Sequence, residues 1–374
     1  MEMRTVVVKI DPCFKMPSTT YAEFGHDTEA LEVAKAFTDG IRGKTIIVTG
    51  ANSGGIGYTT LQAFASQSPA HLVLASRTSS KIQETIEKLK TEYPEVDYRP
   101  LVLNLSSQKA VRDAAAEILS WKDVDAIDII VNSAGLMGLP ERQLTPEGIE
   151  MHFGTNHIGH FLLTSLLMPK LITAAQRSPR GATRIVNVSS LSPTVAGVRW
   201  SDINFDKINK DLPEEERPNE QILSRWGFSD VMEKSYIPIE GYNQSKAANV
   251  LFSIGLSDRL YQKHGIVSIA VHPGIIPTEL GRDFGTEMEQ AVSNMSKRGA
   301  FKYKSLGAGS STSLTAALDP KLGEGVGEEK DGKVYGVYMI DCQISEMAYI
   351  RACSKKEAER LWELSERLVG EKFT

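Results

Sequence analysis

Tyr242 and Lys246 stand four positions apart in a stretch, 242–260, that reads as helix, so both side chains fall on one helix face. A phenol has a reference pKa near 10, and an ammonium held close favours the phenolate. Such a pair can exchange a proton with a substrate oxygen near neutral pH. With 11 tyrosines in the chain, one Tyr-x-x-x-Lys could arise by chance, so the pair needs supporting groups. Ser189 and Ser190 close an apolar run that reads as a strand, and a hydroxyl at a parallel strand end faces the ligand crevice. Asn132-Ser133-Ala134-Gly135 follows another such run, and Ala134 and Gly135 are small enough to pass close to a cofactor. Asn156 falls within a probable long helix, where Asn is mildly unfavourable and therefore calls for a role.

A second set of residues fits a dinucleotide. Gly50-Ala51-Asn52-Ser53-Gly54-Gly55-Ile56-Gly57 joins an apolar strand to a helical stretch. Glycines there permit a tight turn and let backbone approach a pyrophosphate seated on the helix N-terminus. No Gly-Lys-Ser/Thr follows, which argues against an NTP-hydrolysing phosphate loop. The next strand ends at Ser76-Arg77 with no acid where a free ribose hydroxyl would need one. Arg77 suits a 2′-phosphate instead, so NADP(H) is expected over NAD(H).

These groups need elements to hold them. Apolar runs at 44–49, 71–76, 98–103, 127–131, 184–189, 266–272 and 334–340 are rich in Val, Ile and Leu with little polar alternation. Such runs are buried on both faces in a parallel sheet. Helical stretches such as 80–93 lie between them, and the pattern predicts an α/β fold: one Rossmann-type, doubly wound parallel sheet with helices on both faces. Residues 1–40 form an N-terminal extension to a domain over 41–374. Segment 191–241 interrupts the rhythm as an insertion, 279–308 is polar and glycine-containing, and 354–370 reads as a C-terminal helix capped by Ser354 and Glu357, with Gly370 past its end.

Composition sets further bounds. The net charge is -5 without a long basic run, so nucleic acid is not an expected partner. Three cysteines are too few for a disulfide framework and show no metal spacing, so no metal is expected and a reducing, cytoplasmic setting fits. No apolar run reaches the roughly 18 residues of a membrane span.

In this order, the glycine loop, Asn-x-Ala-Gly turn, helix Asn, strand-end Ser, Tyr-x-x-x-Lys and His272-Pro273-Gly274…Thr278 resemble the short-chain dehydrogenase/reductase family over about 44–341. Phe153-Gly154-Thr155-Asn156-His157-Ile158-Gly159-His160-Phe161 and Ala317-Leu318-Asp319-Pro320 look like its retinol-dehydrogenase-like branch, and the C-terminal half is similar to fungal members, some serving secondary metabolism. The resemblance implies an NADP-dependent enzyme acting on a small-molecule alcohol or carbonyl. Tyr242 would be the acid/base, Lys246 would lower its pKa and bind ribose, Ser190 would orient the substrate oxygen, and Asn156 would serve a proton relay. Ile56, Asn104, Leu105, Asn132, Pro273, Gly274, Ile276 and Thr278 would contact cofactor. The resemblance aligns Gly50, Gly55 and Gly57 with the family's glycine motif and leaves the places of Ser53 and Gly54 open. A homo-oligomer using the 242–260 helix is the family expectation.

Four departures matter: an extra glycine at Gly54-Gly55, Asn104 in place of an Asp, Ser133 in place of a second Asn, and a long Ser190-to-Tyr242 separation. The segment that fills this separation is expected to form a substrate-side wall with Trp200, Trp226 and Phe228. Two other readings compete. An epimerase or dehydratase of the extended relatives would have tighter glycine spacing and an acid in place of Arg77. A non-catalytic NADP-binding regulator or scaffold would tend to lose Tyr242 or Lys246.

Overall fold

A computed structural model of the chain describes residues 18–324 and 327–373. Its strands are β1 (Thr45–Thr49), β2 (His71–Ser76), β3 (Asp97–Val102), β4 (Ile129–Asn132), β5 (Arg184–Val188), β6 (Val267–His272), β7 (Glu329–Lys330), β8 (Lys333–Val334), β9 (Tyr338–Ile340) and β10 (Gln343–Ile344). Eight of them form one sheet in the order β10-β9-β6-β5-β4-β1-β2-β3, with β7 and β8 as a separate hairpin. All pairings from β3 across to β9 are parallel, and only β10 runs antiparallel. The doubly wound α/β sheet expected from the apolar runs is therefore present. The single strand expected over 334–340 is split, because Gly336 at φ +77° turns the chain between β8 and β9.

The helices are α1 (Ala30–Ala36), α2 (Ile56–Ala65), α3 (Ser79–Glu92), α4 (Gln108–Ser120), α5 (Gly159–Leu166), α6 (Met168–Gln176), α7 (Glu220–Arg225), α8 (Pro238–His264), α9 (Thr286–Lys297), α10 (Leu306–Leu318) and α11 (Lys355–Val369). They cover both faces of the sheet. On one face, Val111, Phe161, Leu251 and Leu361 bring α4, α5, α8 and α11 into a common core. On the other, Val33, Phe64, Ile86 and Leu314 do the same for α1, α2, α3 and α10. Burying the central strands on both sides explains why they alternate so little. Strand order reverses between β1 and β4, and the crevice at such a reversal is where doubly wound folds bind ligands.

Three regions depart from the βα rhythm. Of the extension, residues 1–17 lie outside the described residues. Its remainder is tied down: Thr20 donates from its backbone N and from Oγ1 to the Asp319 carboxylate, each at 2.6 Å. The insertion after Ser190 folds as short turns around Arg199, which is only 6% exposed. Its guanidinium pairs with Asp202 at 2.6 Å and donates to Asn209 at 2.5 Å. Helix α11 is capped as expected, with Ser354 accepting from Glu357 N at 3.3 Å and Gly370 at φ +69°. The Glu357 carboxylate accepts from the Trp200 indole at 2.5 Å, fastening the insertion to α11.

Candidate active site

The ends of β1, β4, β5 and β6 meet the start of α8 around the switch point. At β1, Thr49 Oγ1 accepts the N–H groups of Ser133 and Ala134, each at 2.9 Å, so the turn after β4 hangs on the β1 terminus. Both lone pairs of Thr49 are then filled, and its proton goes to His160 Nε2 at 2.9 Å. His160 Nδ1 carries the ring hydrogen to the Asn156 carbonyl at 3.0 Å. This network fixes the helical segment that holds Asn156.

That segment, Phe153–Ile158, is a π-helical turn rather than regular α-helix. Such turns frequently occur at functional sites, because the wider ring redirects a side chain. Asn156 Oδ1 accepts from Leu136 N at 2.9 Å, and Nδ2 donates to Leu136 O at 3.0 Å and Ser245 Oγ at 2.9 Å. A Cβ on Gly135 would lie 3.2 Å from Asn156 Oδ1 and 3.6 Å from Lys246 Nζ. Gly135, Asn156 and Lys246 thus lie together.

Tyr242 is 6% exposed, and the Ser190 hydroxyl is near enough to favour its ionised form. Ser189 points elsewhere, donating to Lys246 O at 2.7 Å, and Ser190 is the serine that acts on the phenol. Lys246 Nζ lies 5.6 Å from the Tyr242 ring centroid and donates to Val188 O at 2.8 Å. Burial pushes the Tyr242 phenol up to about 12, tempered by the Ser190 hydrogen bond. Burial also draws the Lys246 ammonium down to about 7. In the chain as it stands, the Lys246 hydrogen bond goes to a carbonyl and desolvation is the largest influence on the tyrosine.

The glycine loop is built for close approach. Gly50 has φ +78°, and a Cβ there would lie 2.9 Å from Ala134 Cα. A Cβ on Gly57 would lie 2.3 Å from Gly50 O. Helix α2 starts after Gly55, which offers no side-chain cap, so its first N–H groups are available to an anion. The extra loop residue is absorbed at Gly54, which is exposed. Ser53 Oγ donates to Glu84 at 3.0 Å, and Ser76 Oγ donates to Asn52 Oδ1 at 3.0 Å, tying the loop to α3 and to the end of β2. Arg77 follows β2, exposed and making no hydrogen bond or ion pair among the described residues.

The remaining candidates divide. Asn104 Oδ1 accepts from Ser106 N and Oγ, at 3.2 and 2.8 Å, and shapes the turn after β3. Leu105 O is pressed against Gly159, where a Cβ would lie 2.4 Å away. Asn132 donates to Thr164 and Asn187, at 3.2 and 2.8 Å, so its amide hydrogens are spent inside the sheet. Ile276 packs near Ile56 across Gly309. Thr278 caps the turn Glu279–Gly281. Gly274, after Pro273, has φ +96° and lies under the buried Lys304 side chain, which pairs with Asp341 at 2.6 Å. No cluster of three or more His, Cys, Asp or Glu is placed for a metal among the described residues.

Comparison with known proteins agrees with this geometry. Residues 44–202 match the family model for short chain dehydrogenase. Oxidoreductase fscI of Fusarium equiseti is 36% identical over 251 residues, which cover 67% of this chain and 94% of that protein. Retinol dehydrogenase 13 of Homo sapiens is 33% identical over 334 residues, 88% of this chain and 86% of that one. The chain belongs to the short-chain dehydrogenase/reductase family. Within the family it falls in the retinol-dehydrogenase-like branch. A short-chain type dehydrogenase/reductase from Mycobacterium marinum shares the fold at TM-score 0.54, with 19% identity over 76% of this chain and 92% of that one.

For this short-chain dehydrogenase/reductase, sequence reasoning passed over Thr49 and His160, whose partners are distant in sequence. It also passed over Lys304 and Tyr338, whose hydroxyl donates to Ser190 O at 2.5 Å. The insertion itself is split in its allegiance. Trp226 and Phe228 join Leu223, Met288 and Tyr242 in one apolar cluster, while Trp200 turns away to α11, stacked under Arg360 at 4.5 Å.

Proposed function

We propose that this oxidoreductase is NADP(H)-dependent and interconverts an alcohol and a carbonyl compound. The observation that carries the reading is the meeting of Tyr242, Ser190, Lys246 and Asn156 at one end of the switch-point crevice. Gly50, Gly55 and Gly57 at the uncapped start of α2 fit a pyrophosphate. Arg77, exposed at the end of β2 and making no hydrogen bond or ion pair among the described residues, fits a 2′-phosphate. When bound, the nicotinamide supplies or accepts hydride.

The protein's own groups do the rest. Tyr242, neutral at physiological pH, gives its proton to a carbonyl oxygen during reduction and takes it back during oxidation. Ser190 sets the position of that oxygen relative to the phenol. Lys246, anchored on Val188 O, faces a cofactor ribose and gains charge as acidic or hydroxyl partners approach. Asn156 holds the turn at Leu136 and leads the proton route onward. The apolar walls given by Leu223, Trp226, Phe228 and Met288 favour a substrate whose body beside the carbonyl is apolar. Cys342 and Cys353 are buried free thiols, which suits a reducing compartment. No single helix among the described residues is long and apolar enough to cross a membrane. The outer side of α8 is packed by α11, with Trp362 against Gly255, so a homo-oligomer would have to accommodate that helix.

The cofactor assignment is tested by titrating wild type and Arg77→Ala with NADPH and NADH, read by quenching of intrinsic fluorescence. Losing a charge-assisted phosphate contact should cost about 1.5–3 kcal/mol in NADPH affinity and leave NADH unchanged. A wild type that binds both equally, or a variant that keeps its NADPH preference, contradicts the assignment of Arg77.

A further inference from the structure

Three buried polar side chains leave the π-helical turn Phe153–Ile158 and its C-terminal edge in three directions. Asn156 bonds to the backbone of Leu136 and to Ser245 on α8. His160 bonds to Thr49 on β1. His157 turns away from the site to α11, where its Nε2 lies 2.8 Å from Ser365 Oγ. His157 and Ser365 are both fully buried.

Donor capacity fixes the sense of this bond. Ser365 has one proton, and it goes to Leu361 O at 2.8 Å. Toward His157 it accepts, so the imidazole carries its hydrogen on Nε2. Burial draws the imidazole down to about 3, so it is neutral and has no second hydrogen to give. Accordingly, Nδ1 has no hydrogen-bond partner among the described residues. The rings of Phe153, Phe161 and Phe252 surround the imidazole, with centroids 5.2, 6.1 and 5.6 Å away, and bring it no acceptor.

Of the two partners, α11 is the fixed one. Trp362 lies against Gly255 of α8, Glu359 pairs with Arg259 at 2.6 Å, and Lys355 pairs with Asp258 at 2.7 Å. The turn is the softer one. Its wide ring closes with Gly159 N–H donating to Gly154 O, five residues back instead of four. Tightening by one residue to a regular α-helical turn would rotate one side of it against the other by about 100°. The His160 bond holds the Asn156 carbonyl, a single point about which the turn can pivot. The His157 bond supplies a second point, on the residue next to Asn156.

We propose that Ser365 is a positioning residue for Asn156: through His157 it holds Phe153–Ile158 in the π-helical register that aims the Asn156 amide at Leu136 and Ser245. The C-terminal helix, far in sequence from Asn156, thereby becomes part of the active site's support. The catalytic consequence rests on the proposed place of Asn156 in the proton route, while the register does not.

The test is NMR on the full chain without substrate or cofactor, with nitrogen-15 in leucine, isoleucine, valine and asparagine. The Leu136 amide donates to Asn156 Oδ1, so its shift and its hydrogen exchange report where the Asn156 side chain points. In Ser365→Ala the Leu136 amide and the Asn156 side-chain amide should both shift. Leu136 exchange should accelerate by roughly tenfold or more beyond any change at Ile47 and Val73 in the sheet. Ser365→Thr keeps the accepting hydroxyl and should stay near wild type. If Ser365→Ala does not fold, His157→Phe breaks the same bond from the other end, fits the aromatic surroundings and should move the same two signals. Unmoved Leu136 and Asn156 signals in a folded Ser365→Ala or His157→Phe overturn the proposal. So does faster exchange of equal size at Leu136, Ile47 and Val73, or Ser365→Thr behaving like Ser365→Ala. With a carbonyl that wild type reduces, Ser365→Ala should also lower kcat several-fold while KM and NADPH affinity stay within about twofold. A wild type that reduces no carbonyl counts against the functional reading alone, and the NMR result still decides this one.

Discussion

The two halves of the crevice handle their polar groups differently. On the glycine-loop side, Gly54 and Arg77 are exposed, α2 starts without a side-chain cap, and Arg77 has no partner among the described residues. On the α8 side, Tyr242, Lys246 and Asn156 are buried, and the polar atoms of Lys246 and Asn156 are engaged with protein. The first half leaves its donors for a charged ligand to satisfy. The second half satisfies its own, since buried groups left unpaired would cost about 1–3 kcal/mol each. Affinity should therefore be lost by changes in the first half and turnover by changes in the second.

The largest expected effect is on turnover. Tyr242→Phe should lower kcat for ketone reduction by roughly a hundred- to ten-thousandfold while NADPH affinity stays within about twofold. Steady-state rates and fluorescence titration check the two parts, and an equal loss in both would erase the division between the halves. Gly57→Ala should do the reverse. Its Cβ would lie 2.3 Å from Gly50 O, so the loop must open, at a stability cost of roughly 1–3 kcal/mol and with weaker NADPH binding. Urea denaturation and cofactor titration read that outcome.

Smaller effects sharpen the contrast. Lys246 sits near 7 in the folded chain against an ordinary value of 10.5, so the folded state holds fewer protons than the unfolded state between these values. Stability of wild type relative to Lys246→Met should therefore rise as pH increases through that window, and urea midpoints at neutral pH and about two units higher would show it. Within the insertion, Trp226→Ala should raise the KM for an apolar ketone several-fold with little change in melting temperature. Trp200→Ala should do the opposite, because Trp200 packs on α11 and Trp226 beside Tyr242.

Much of the sheet was legible in the sequence because strands buried on both faces are nearly continuous apolar runs, as in β1, β2, β5 and β6. Gly336 hid the break before β9, since a glycine in an apolar run does not announce its dihedral angle. The motif residues were legible because their spacing is local, Tyr242 with Lys246 and Gly50 with Gly57. The groups that position them were not. Thr49 meets Ser133 and His160, and His157 meets Ser365, across long stretches of chain. Spacing shows that a lysine is near Tyr242, while only the fold shows how much water is excluded around the pair.

Isotope transfer tests the central claim most directly. Wild type would be incubated with NADPH carrying deuterium at the transferring position and a panel of apolar ketones, and the products examined by mass spectrometry and NMR. The account predicts deuterium on the carbinol carbon of an alcohol product, and loss of that signal in Tyr242→Phe with NADPH still bound. Tight NADPH binding with no label transferred to any carbonyl would contradict it and favour a cofactor-binding scaffold.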